Sequence, residues 1–218
     1  TYQGAYDNAS GVIMVLSLCK LLALVERDKS IACIFFDGEE IGLAGSESYV
    51  EDLPALGHKL DQVFSFDMVG LSQPGFPSFK QNLFLGLDSE ALQPHMAANK
   101  IFVDEVLRDH LQLPEETLSI WESHTRRSDG LSFKDAGIPA FRFAGGEEAS
   151  AYPHYHRPGD SVEGLYEFAG DGDLALGRER FEVGFEATTV SAYYTILAYD
   201  KFDPLLLEDG EQAPESAP

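Results

Sequence analysis

The feature that most constrains this chain is a junction between a buried strand and a doubled negative charge. Residues Ser30 to Phe36 form an apolar, β-branched and aromatic run that reads as a buried strand. The run ends at Asp37-Gly38, a turn signal, and Glu39-Glu40 follow at once. Gly42-Leu43-Ala44-Gly45-Ser46 then turns the chain into a short helix over Ala44 to Val50. Adjacent carboxylates at the carboxyl end of a buried strand repel each other, and burial raises their pKa values. A bound cation compensates best. One glutamate then binds the cation while the other takes a proton from water. The competing reading is a solvated Glu-Glu pair on a loop.

Three further residues of metal-binding type lie where strands end or loops turn. Asp7 sits in Gly4-Ala5-Tyr6-Asp7-Asn8-Ala9-Ser10-Gly11, ahead of helical spacing from Val12 to Val25, with Ser10 placed as an N-cap. A plain turn or capping aspartate is the alternative there. Asp67 interrupts the apolar strand Gln62 to Met68 near its end, and an aspartate in that setting must be paired, hydrogen-bonded or metal-bound. His156 lies in Pro153-His154-Tyr155-His156-Arg157-Pro158-Gly159-Asp160. Asp160 fixes this loop or caps the segment after it.

Elsewhere the patterning alternates between strand and helix. Leu53 to Leu60, with Pro54 and Gly57, reads as a loop, as does Leu71 to Ser78. Asn82 to Leu87 reads as a strand, and Ser89 to Leu111 as helix broken at Pro94. Glu122 to Gly130 is polar, Leu131 to Ala136 a short helix, Ala140 to Ala144 a strand, and Leu174 to Tyr199 a closing helix. His58, His95 and His110 have no partner at metal spacing and read as surface residues. Cys19 and Cys33 read as two buried thiols, with a helix-to-strand disulfide left open. No apolar run reaches transmembrane length and no signal peptide is visible. One domain, 1–203, and a disordered acidic tail, 204–218, account for the chain. Its formal net charge of −22 argues against nucleic acid and anionic membrane surfaces as partners.

Taken together and in this order, the segments around Asp7, Glu39-Glu40, Asp67 and His156 resemble the M28 family of zinc peptidases. The resemblance runs to about Ser161 and more loosely to the last helix. It implies an α/β fold, with a mixed, largely parallel central sheet, helices on both faces, and the site at the carboxyl ends of the strands. It implies that Asp7 bridges two zinc ions, often beside a non-proline cis peptide. Glu40 and His156 complete one ion. Asp67 and a histidine from a His-x-Asp motif, which this chain lacks, complete the other. The chain is therefore expected to be an N-terminally truncated piece. Glu39 is the implied general base. His156 is chosen over His154 because it precedes x-Pro-x-Asp, and Tyr155 matches a tyrosine that steadies the oxyanion. Ser128, Asp129, Phe133, Gly137, Ile138, Pro139 and Ala140 match a further family segment. The family has His where this chain has Gly130, and Asp129 is implied to hold the catalytic glutamate or the ligand histidine in place.

The activity implied is aminopeptidase cleavage of peptides at their N-termini, at an extracytoplasmic or secreted address. Manganese or cobalt is an alternative to zinc. Glutaminyl cyclase is the nearest rival, resembling Ile34 to Glu40, although that class has Trp where this chain has Tyr155. A carboxypeptidase would use Arg126, Arg127 or Arg142 for the substrate carboxylate. A non-catalytic receptor or scaffold of the same fold is the rival from a different class.

Overall fold

The computed structural model of the chain describes residues 3–71, 79–84, 118–123, 128–144 and 152–201. Helix α1 (Ser10–Leu22) leaves the loop that carries Asp7 and buries Met14, Leu18 and Leu22 along one stripe at helical spacing. Helix α2 (Ala44–Leu56) follows the glutamate pair. Then come β1 (Val63–Phe66), β2 (Phe79–Phe84), β3 (Leu118–Ser123), helix α3 (Gly130–Asp135), β4 (Ala140–Ala144), and helices α4 (Val162–Ala169) and α5 (Leu174–Lys201).

The strands form one mixed sheet in the order β1-β4-β2-β3. β1 pairs with β4 in parallel, β2 with β3 in parallel, and β2 with β4 antiparallel. Register places Phe64 opposite Phe141 and Phe66 opposite Phe143. Their rings stack with centroids 5.7 and 4.9 Å apart, so strand alternation turns all four to one face. There Phe64, Phe66 and Phe143 meet Met14 and Leu18 of α1 and Ala192 and Ile196 of α5, and Phe141 meets Tyr199 of α5. On the opposite face, Val63 and Ala140 pack with Phe133 of α3 and Tyr49 and Val50 of α2. Helices thus cover both faces. The same alternation sends Ser65 and its register partner Arg142 to the α2–α3 face, and Asp67 stands one step beyond the end of β1.

Residues 30–36 differ from expectation. They are extended but pair with no strand among the described residues. Ile31 packs into the α1–α5 core and Phe36 into the α2–α3 core, as alternation requires. A cavity of about 390 Å³ lies between this segment and β1, lined by Ile31, Ile34, Phe36, Val63, Phe64 and Leu18 among others. The side chains alternate as in a strand, but no ladder to β1 forms among the described residues.

Other boundaries also move. The expected loop Leu53–Leu60 is helical to Leu56, with Pro54 inside α2. The helix stops at Gly57, in the left-handed conformation, where the His58 amide closes onto the Leu53 carbonyl. Ser10 is not an N-cap: it lies inside the first turn of α1 and its hydroxyl donates to the Tyr6 carbonyl at 2.7 Å. Strand β3 and helix α4 were not expected. The N-cap of α4 is Ser161, whose Oγ accepts from the Gly164 amide. Cys19 and Cys33 are joined in a disulfide rather than left as two thiols, tying α1 to the extended segment. Against expectation, Ala5–Leu22 is long and apolar enough for a membrane span by length and composition, yet Met14, Leu18 and Leu22 belong to the core. The stretch 89–111 with His95 and His110, the residues His124, Arg126 and Arg127, and the tail 204–218 lie outside the described residues.

Candidate metal centre

Three segments far apart in sequence deliver one side chain each to a common point. The first is the irregular turn Ala5–Ala9. Gly4 opens it in the left-handed conformation, and the Asp7–Asn8 peptide is cis. Asn8 fastens the turn to the end of β1. Its Nδ2 donates to the Phe66 carbonyl at 3.0 Å, and its Oδ1 accepts from the Gly11 and Met68 amides at 3.1 Å. A side chain at Gly11 would collide with the Phe66 carbonyl, which is why α1 can start so close to the strand end.

The second segment is the glutamate turn. Gly38 is left-handed, Glu39–Ile41 make a single tight helical turn, and Leu43 is again left-handed before α2 begins. The Gly45 amide donates to the Asp37 carbonyl at 3.0 Å and folds the start of α2 back over the turn. The third segment is the run of turns from 152 to 160. His156 has φ 55° there, and the Tyr155 ring stacks on its imidazole at 3.7 Å between centroids.

At the convergence, His156 Nε2 lies 2.8 Å from Glu40 Oε1 and 3.3 Å from Asp7 Oδ2. One ligand atom from each of the three residues lies within 4.8 Å of the others. Ligand atoms around a tetrahedral zinc, with bonds of about 2.0–2.2 Å, stand about 3.3 Å apart, so this donor set fits the ion. Asp7 is the enclosed member, with a side chain 12% exposed, whereas His156 is 45% and Glu40 56% exposed. The open side toward solvent is what a substrate-binding metal position needs.

The surroundings are short of positive charge. Burial, and then the charges of Asp67 and Glu40, push the Asp7 carboxyl up to about 7, with His156 opposing. Burial followed by Asp67 also raises Glu39, against the Ser128 amide, which donates to Glu39 Oε1 at 3.0 Å. Burial likewise raises Asp129, partly offset by a hydrogen bond with Ser46.

Of the expected ligands, Asp7, Glu40 and His156 are brought together, and Asp67 is not in that group. Asp67 instead pairs with Arg142, Nη2 to Oδ2 3.1 Å. Its backbone amide continues the β1–β4 ladder onto the Phe143 carbonyl. Glu39 accepts a hydrogen bond from the Ser128 amide, whereas Asp129 was expected to hold either Glu39 or the ligand histidine. Gly130, where the family has His, is buried in the first turn of α3.

Sequence reading gave Ser128 no role of its own, because a backbone amide in the left-handed region, φ 85°, leaves no trace in residue type. The Arg142–Asp67 pairing was equally invisible. Its only signal was an arginine inside an apolar strand, which reads just as well as a partner for a substrate carboxylate.

Comparison with known proteins points the same way. The model of Peptidase family M28 matches residues 1–167. Aminopeptidase YwaD of Bacillus subtilis (strain 168) is 30% identical over 197 residues, which are 88% of this chain and 38% of that protein. The chain thus spans less than two fifths of that relative's length. The structure of BSAP, a zinc aminopeptidase from Bacillus subtilis, superposes with a TM-score of 0.61 at 28% identity, over 88% of this chain and 42% of that one. A glutaminyl cyclase of Porphyromonas gingivalis matches at a TM-score of 0.51 and 17% identity, over 88% of this chain and 66% of that one, a likeness of fold alone.

Proposed function

This chain belongs to peptidase family M28, and on that premise we propose that it carries the metal centre and the proton-transfer carboxylate of a zinc-dependent aminopeptidase. The observation that carries the proposal is the meeting of Asp7, Glu40 and His156 from three separate segments, with Glu39 held alongside by the Ser128 amide. The similarity to YwaD and BSAP supports it. When bound, zinc supplies a Lewis acid and lowers the pKa of water.

The chain's own residues divide the remaining work. Asp7, Glu40 and His156 hold the ion. If Asp7 bridges to a second ion, Asp67 is that ion's ligand and Arg142 is its rival for the carboxylate. Glu39 is the general base. One of its oxygens is engaged by Ser128, which leaves the other to accept a proton and hand it to the departing amine. Burial raises its affinity for protons, the direction that suits that exchange. Tyr155, packed against the ligand imidazole, supplies the donor for the developing oxyanion. The excess of carboxylates complements a protonated N-terminal amine. Arg142 is engaged by Asp67, which disfavours its use for a substrate C-terminus. The disulfide fits the oxidising, extracytoplasmic address that we propose with this reading.

The test is an assay of zinc-loaded protein on aminoacyl-anilides, on the same compounds acetylated at the amine, and on peptides with N-terminal glutamine. Anilide release that is lost on acetylation and on chelation is the expected result. Cyclisation of the glutamine peptide without anilide release would replace the aminopeptidase reading with the cyclase one.

A further inference from the structure

The proposed ligands Asp7 and His156 lie far apart in the chain, and one buried carboxylate links their backbones. Asp160 is 0% exposed. Its Oδ1 accepts from the Tyr6 amide at 2.9 Å and its Oδ2 from the Asp7 amide at 3.0 Å, so the two oxygens span two successive peptide groups. The Tyr152 hydroxyl donates to Oδ1 at 3.0 Å, and the Asp160 carbonyl accepts from the Ala5 amide at 3.3 Å. Asp160 is itself held within the turns around His156. Its amide donates to the Arg157 carbonyl, and the Arg157 amide donates to the His154 carbonyl. The buried rings of Tyr6 and Tyr152 meet edge to face, 5.1 Å between centroids, and close the clamp from water.

We infer that Asp160 is a positioning residue that sets the Asp7 carboxylate against the His156 imidazole. The reason lies in what each anchor can do. Asn8 and Ser10 fix the Asp7 turn to the end of β1, but neither bond reaches the loop of His156. Asp160 makes that connection. A neutral side chain would cap one amide as well. Two successive amides need two acceptor oxygens on one planar group, and a carboxylate provides them where an amide side chain provides one. Burying a charge among neutral donors costs stability. The return is a fixed orientation of the peptide that carries a metal ligand, as with other groups that stand behind metal ligands.

This rests on the reading of Asp7, Glu40 and His156 as a metal centre, and the experiment separates the two claims. Wild-type and Asp160→Asn forms of the full chain are titrated with zinc by calorimetry and with cobalt(II) by visible absorption, and the melting of both is followed in chelator. The expected result is zinc binding weakened roughly 10- to 100-fold, with an altered cobalt spectrum, in a protein still folded without metal. A lower melting point in chelator with zinc affinity and cobalt spectrum unchanged would overturn the inference and leave the metal centre standing. Should Asp160→Asn not fold, Tyr152→Phe removes one donor and keeps the ring contact. It should weaken zinc binding roughly three- to tenfold, the usual worth of one hydrogen bond, and unchanged binding there would overturn the inference equally. Wild-type protein that takes up neither metal would remove the proposed function and this inference with it.

Discussion

Asp67 and the Asp7–Glu40–His156 group lie close to the same end of β1, and each gathers negative charge. The remedy differs. Asp67 is closed by Arg142, a guanidinium that never loses its charge, with side chains 14% and 17% exposed for the arginine and the aspartate. The other group has a single imidazole between two carboxylates and opens to solvent at His156 and Glu40. One position carries its cation built into a strand. The other has only an imidazole and, on the proposed reading, takes its cation from outside. The difference teaches which carboxylate is already paired within the fold and which group stays open to solvent.

The largest effect expected is on Glu39. Glu39→Gln should lower turnover by about 10²- to 10⁴-fold, the usual contribution of a general base, while zinc content by elemental analysis stays that of wild type. Loss of zinc would place Glu39 among the ligands instead and blur the two regions. The direct comparison comes next. Glu40→Ala should cost more zinc affinity than the roughly 10- to 100-fold of changes behind the ligands, and Asp67→Ala less than about tenfold for the first ion bound. Equal losses in calorimetric titrations would mean that Asp67 belongs to the same centre.

Breaking the internal pair should be milder. Arg142→Met leaves Asp67 without its partner and should cost about 2 kcal/mol in denaturant unfolding of the chelated protein, below the roughly 3–5 kcal/mol of fully buried pairs. Excess zinc should restore part of it if Asp67 then takes up an ion. No recovery would show that Arg142 alone satisfies that carboxylate.

The smallest expected effect is a pH slope. The Asp7 carboxyl goes from an ordinary value of 3.8 to about 7 in the folded chain. Between those values the native state holds a proton that the unfolded chain has released. The chelated protein should therefore lose stability as pH rises from about 4 to about 7, and Glu39 acts in the same direction. Zinc takes the proton's place, so the loaded protein should lack this loss. Unfolding midpoints with and without zinc across that range check it, and parallel slopes would contradict the contrast between the two regions.

Much of the fold was legible in the residues alone. The spacing of Met14, Leu18 and Leu22, the strand Ala140–Ala144, and the long closing helix follow from short-range periodicity, which residue types state directly. Strand β3 was missed because Glu122 and Ser123 read as the start of a polar stretch. The segment 30–36 has strand chemistry without strand pairing, because pairing depends on how near a neighbour's backbone comes. Arg142 was seen as a cation, but nothing local names Asp67 as its partner.

By itself the sequence showed Asp7, Glu39, Glu40, Asp67 and His156 at the ends of apolar elements or in turns, where a polar group must find a use, and resemblance to the M28 family singled them out as candidates for metal and proton chemistry. Tertiary structure alone decided how they group. Contacts such as that between Asp7 and Asp160, 153 residues apart, depend on loops closing and faces packing. Those are properties of the whole chain's geometry, and through them one carboxylate is paired with an arginine and two are set beside a histidine.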